Sequence, residues 1–163
     1  TVGRKRKMPK TKIDGFLPRQ FRISKSQLKT AADFFAACSA RRARLTFREV
    51  VVVLQDDEGS GEVHLAINGV EGPTDVVTQP YDPMPNEPSG VYGELYVNVQ
   101  MALRTGKTLG EKWSPEKELL LYIAHGMDHL SGAQDLDPSE RRRMRRRELR
   151  WMSLLAERHL FEF

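Results

Sequence analysis

Three observations predict a single α+β (mixed α/β) domain. Short apolar or alternating segments lie among amphipathic ones, the last third of the chain reads as helix throughout, and no repeat or domain boundary interrupts the 163 residues. A chain of that length can bury a sizeable core as one unit. Hydrophobic residues make up 39% and charged residues 29%, the balance of a globular rather than a disordered protein.

Residues 1–23 read as a basic N-terminal tail and lead-in, and 24–163 as the folded domain. Residues 24–42 predict a helix, because Leu28, Ala31, Ala32, Phe35 and Cys38 recur on one face. Cys38 on that face is expected to be a small buried hydrophobe. The β-branched run Val50 to Leu54 predicts a central strand within 46–54. Residues 57–68 fit either a short helix or a loop. A second strand is expected at 74–78, followed by a surface loop over 79–89 that contains Pro80, Pro83, Pro85 and Pro88. Leu95, Val97 and Val99 alternate with Glu94, Tyr96 and Asn98, which predicts a strand over 93–99.

Ser114-Pro115-Glu116 opens a helix with an N-cap, a first-turn proline and an acid at the positive end of the dipole. It is expected to run to Ser131 and stop at Gly132. Asp137-Pro138-Ser139-Glu140 opens another in the same way, reaching Leu160 and burying Leu149, Met152, Leu155 and Ala156.

The formal net charge is +4, with basic residues gathered at the two ends. Uneven positive charge suits a polyanion such as RNA, or an anionic membrane surface. No apolar run approaches the ~20 residues that span a bilayer, so no membrane partner is expected. The N-terminal stretch has no signal-peptide apolar segment. A single cysteine forbids an internal disulfide and suits a reducing, cytoplasmic setting.

The chemistry concentrates at His125-Gly126-Met127-Asp128-His129. Histidines four positions apart on a helix share a face and can meet one ion. Gly132 lets the chain turn back, so Asp135 can supply a third ligand. Three protein ligands with an open fourth position describe a catalytic zinc site. Asp137 also follows Gly132, but its place before Pro138 makes it the natural cap of the last helix. Zincin proteases share the histidine spacing but place a glutamate where this chain has Gly126. Asp128 reads as an exposed surface acid. His64 and His159 read as histidines without a site role.

These residues carry a family resemblance. His125-Gly126-x-x-His129-Leu130-x-Gly132 resembles the YbeY signature H-G-x-L-H-L-x-G-x-D-H, and Pro73-Thr74-Asp75-Val76-Val77-Thr78-Gln79-Pro80 resembles that family's P-T-D-V-L-S-F-P. Asp56-Asp57-Glu58 and Gly93-Glu94-Leu95 fall where the family has similar elements, so the resemblance spans roughly residues 25–160. It implies a small mixed sheet packed with helices and a zincin-like metal helix. It also implies a metal-dependent, single-strand-specific endoribonuclease of ribosomal RNA maturation and ribosome quality control, with ribosomal RNA or a ribosomal subunit as partner.

The resemblance places Asp135 at the family's third metal histidine, giving a His125–His129–Asp135 ligand set for one Zn²⁺ or similar divalent ion. It places Asn68 at a family arginine, whose charge and bidentate grip on phosphate Asn cannot supply. Those departures leave two other readings, a catalytically weakened RNA-binding ribosome-assembly factor and a metal hydrolase of a non-nucleic substrate. Seven arginines between Arg141 and Arg150 cover more than one face of the last helix. Arg142, Arg145 and Arg146 are the candidates for phosphate contact. Asp128, Glu94 and Asp75 are the candidates to take a proton from water.

Overall fold

The computed structural model describes residues 9–158. The order of elements is β1 (Thr11–Gly15), α1 (Lys25–Ala43), β2 (Phe47–Gln55), α2 (Asp57–Asn68), β3 (Val76–Tyr81), β4 (Val91–Asn98), α3 (Val99–Thr108), α4 (Pro115–Leu130) and α5 (Pro138–Glu157). The four strands form one mixed sheet in the order β1-β2-β4-β3. β1, β2 and β4 run parallel, and β3 is antiparallel to β4. This is the expected α+β domain.

Local chemistry explains the helix ends. Ser24 and Gln27 form a reciprocal capping box on α1. Asp56 caps α2, which settles the ambiguous 57–68 stretch as helix. Ser114 caps α4 with Pro115 in its first turn. Asp137 caps α5 by accepting from Glu140 N at 2.8 Å. Glu140 returns to Leu136 N rather than to the cap residue. The expected end of this helix at Leu160, and His159, lie outside the described residues.

Several expectations need correction. Residues 11–15 belong to the sheet, not to a tail. Thr11 donates from both its amide and its hydroxyl to Asp33 Oδ1 on α1, which anchors an edge strand too short to show a pattern. β3 continues through Pro80, inside the expected loop. It is an edge strand with only β4 beside it, so a residue without an amide proton is tolerated. α3 was not foreseen; Asn98 ends β4 and caps α3 by accepting from Met101 N.

α4 is the central helix. Leu119 through Ala124 are all buried, and it packs against α1, α3, α5, β3 and β4. Its approach to the sheet is set by two glycines. A Cβ on Gly126 would stand 2.8 Å from Leu95 Cδ1, and one on Gly93 would stand 2.6 Å from Leu130 Cδ2. Both gaps are too short for carbon atoms in contact. Gly126 therefore sets how deeply the helix bearing both histidines sits on β4. No helix among the described residues is long and apolar enough to cross a membrane.

Gly126→Ala should force α4 off β4 and lower the unfolding free energy by about 1–3 kcal/mol, the usual range for overpacking. A urea midpoint equal to wild type would show that the helix sits there for another reason.

Candidate metal centre

His125 and His129 lie one turn apart on α4, with Nε2 atoms 3.0 Å apart. Asp135 Oδ2 lies 3.8 Å from the first and 3.5 Å from the second. Donors at ~2.0–2.1 Å from one tetrahedral ion are spaced by roughly 3.3 Å. The three therefore outline one face of a tetrahedron, and no other group of three or more metal-ligating side chains is so clustered among the described residues. Asp135 arrives because Gly132 takes φ 98°, a left-handed conformation that favours glycine. Gly132 N and Ala133 N then bond back to His129 O and Asp128 O.

Each imidazole is oriented through its other nitrogen. His129 Nδ1 is 2.9 Å from Ala133 O, which can only accept. Nδ1 thus carries the proton and Nε2 presents a lone pair. His125 Nδ1 lies 3.0 Å from both carboxylate oxygens of Glu148; with Glu148 ionised and His125 neutral the proton sits on Nδ1 and Nε2 is left for a ligand. Two lone pairs and a carboxylate oxygen converging at these distances repel one another unless a cation lies between them. The donor set therefore fits a divalent metal ion, with Glu148 and Ala133 fixing the ligands from behind.

Glu148 is only 1% exposed and had no signal in the sequence, where it is one polar residue in a charged helix. Burial pushes its carboxyl up to about 7, against the opposing hydrogen bond from His125. For His125, burial is the largest single influence and disfavours the charged ring, but the hydrogen bond and charge of Glu148 and the nearby carboxylates together outweigh it, and the net shift is upward. Asp75 and Asp135 add to that rise.

Asp128 is not a surface acid. Its side chain is fully buried and accepts from Arg147 Nε and Nη2 on α5, with Arg42 Nε on α1 at 3.3 Å. Arg42 also donates to Ser131 Oγ at 2.6 Å, and Ser131 Oγ donates to Asp128 O. Two guanidinium groups thus compensate the buried charge and tie the end of α4 to both flanking helices.

The arginines of α5 divide by face. Arg141, Arg142 and Arg145 line a cleft of about 670 Å³ that also contains His125, Asp135 and Asp75. Arg147 is taken by Asp128. Arg146 is exposed and lies outside the cleft. Of the acids expected near water, Asp75 lines the cleft. Glu94 accepts from the Tyr96 hydroxyl on the sheet face opposite Leu95. Cys38 is half-buried against the core, and burial raises its thiol. His64 bonds Gly72 O at 2.8 Å and takes no part in the cluster.

Above the range in which His125 protonates, Glu148→Gln should weaken zinc affinity by about 10–100-fold. Asp135→Ala should weaken it further. Asp137→Ala should leave it unchanged while costing about 0.5–2 kcal/mol of stability, as cap loss does. Wild-type affinity should fall by about tenfold per pH unit per displaced proton as pH drops through that range, since the ion must displace the proton that Glu148 helps His125 to hold. Chelator-competition titrations of the three variants check this; loss of zinc from Asp137→Ala but not Asp135→Ala would reverse the assignment.

Comparison with known proteins gives the family. The family model described as endoribonuclease YbeY matches residues 18–156. A Rhodopirellula baltica protein named endoribonuclease YbeY is 40% identical over 84 residues, which are 52% of this chain and 42% of that one. The chain thus spans under half of that relative's length. A Protochlamydia amoebophila protein of the same name is 30% identical over 121 residues, 74% of this chain and 79% of that one. The solution structure of TM1509 from Thermotoga maritima superposes with a TM-score of 0.60 at 21% identity, covering 91% of each chain, and shares the fold. With the model matched across α1 to α5, the chain belongs to the endoribonuclease YbeY family.

Proposed function

We propose that this protein is a metal-dependent, single-strand-specific endoribonuclease that acts in ribosomal RNA maturation and ribosome quality control, holding one zinc or similar ion per chain. The observation that carries this is the opening of the His125–His129–Asp135 triad onto a cleft lined by arginines. The name its relatives carry, endoribonuclease, supports the substrate class. A bound divalent ion would lower the pKa of its water and polarise a phosphoryl oxygen.

The chain's own residues supply the rest. Arg142 and Arg145 bind the phosphates on either side of the scissile bond and stabilise charge developing on the phosphoryl oxygens. Asp75 lines the cleft and has Oδ1 occupied by Val76 N and the Thr74 hydroxyl, which leaves Oδ2 as the proton acceptor. Asp128 has no such role, because both its oxygens are held by arginine. Leu121 and Met101 form the apolar wall beside the ligands and limit water access.

Purified protein should cut single-stranded RNA, with chelator and His125→Ala each abolishing cleavage. Cutting that survives both would overturn the reading. RNA binding without cleavage, even with added metal, would select the RNA-binding assembly factor instead.

Phosphate contact by the cleft arginines should make affinity fall steeply with salt. Arg142→Gln and Arg145→Gln should each reduce the log–log slope by about one, and Arg146→Gln should not. Equal slopes in all three variants would assign the arginines to a solvated face.

A further inference from the structure

Two clefts meet at the ligand triad, and they differ in charge. The first holds His125, Asp135 and three arginines. The second, of about 320 Å³, is lined by Asn68, Val76, Val77, Thr78, Pro80 and the second histidine ligand, His129. It contains no guanidinium, ammonium or carboxylate. A phosphate there would meet no cation except one at the triad itself, whereas a flat, weakly polar ring would meet surfaces suited to it. Val76 and Pro80 lie on the same face of β3, two positions either side of Thr78, and offer apolar walls. β3 pairs only with β4; along its outer edge Val76 N is taken by Asp75 Oδ1 and Pro80 O by Gln79 Nε2, which leaves the backbone of Thr78 without a strand partner.

Asn68 is the polar group with freedom to act. It ends α2, is exposed, and its carboxamide has no hydrogen-bond partner among the described residues. A carboxamide presents a donor and an acceptor side by side, the pattern that reads the N6/N7 edge of adenine bidentately. In single-stranded RNA that edge is available, because unstacked bases can be splayed into protein pockets.

Resting on the endoribonuclease reading above, we infer that the second cleft is a nucleobase subsite. A strand crossing the triad lays its phosphates along the arginines and turns the adjoining base into the neutral cleft, where Asn68 reads its edge. The metal centre then sits at the boundary between a backbone-binding half and a base-reading half, and the second half gives the reaction a base preference, for adenine.

The test has one arm without catalysis and one with it. In amide NMR spectra of the zinc-loaded protein, adenosine should shift the resonances of Val76 and Thr78, and ribose 5-phosphate should not. Asn68→Ala should abolish the adenosine shifts with an unchanged melting temperature. In cleavage of single-stranded oligonucleotides differing at one base beside the cut, wild type should prefer adenine by about tenfold. Asn68→Ala should remove that preference. Asn68→Asp, an acceptor only, should move it towards cytosine, whose N4 amino group donates. Adenosine shifts confined to the arginine-lined cleft, shifts that persist in Asn68→Ala, or equal base preference in wild type and Asn68→Ala would each overturn the subsite. Adenosine binding lost in Asn68→Ala without any RNA cleavage would sustain the subsite and reject the nuclease reading.

Discussion

Asp128 and Glu148 are carboxylates with almost no access to water, and what each needs in order to stay buried organises the ligand site. A buried carboxylate is tolerated only if hydrogen-bonded or paired with charge. Asp128 meets that need with Arg42 and Arg147, which draws α1 and α5 onto the end of α4. Glu148 meets it with the imidazole of His125, which turns that ring so that its other nitrogen faces Asp135. The ligand geometry is thus a by-product of satisfying buried charge. The glycines of α4 and β4 contribute by letting the helix sit close enough for those partners to reach.

This division explains what was legible in the sequence. The histidine pair, the glycine turn and Asp135 could be read because ligand spacing on a helix is a local property. The helix starts at Ser24, Ser114 and Asp137 were readable for the same reason. Glu148 was not, since its role depends on α5 folding back across α4, and nothing near it distinguishes it from its charged neighbours. Asp128 was misread because its position beside polar residues hid two partners, one of them on α1. The edge strand β1 was missed because five residues held by Asp33 show no alternation. The arginine run could be counted but not divided, as its three destinations depend on the packing of α5.

The two clefts give the ligand site an asymmetry that spacing alone did not suggest. One side is built from the first turns of α5, where charge is plentiful, and the other from the edge strand β3 and the end of α2, where it is scarce. The histidines on α4 stand between them because that helix packs against both α5 and β3.

The grip of Arg42 and Arg147 on one aspartate has a consequence for the newborn chain. As synthesis proceeds, both histidines emerge before the segment carrying Arg147 and Glu148. Until that segment arrives, Asp128 holds half its compensation and His125 has no carboxylate behind it. A partly made chain therefore contains the ligands without their alignment. The ligands come into alignment only once the last helix packs against the fourth, so the site is completed by the final stretch of the described chain.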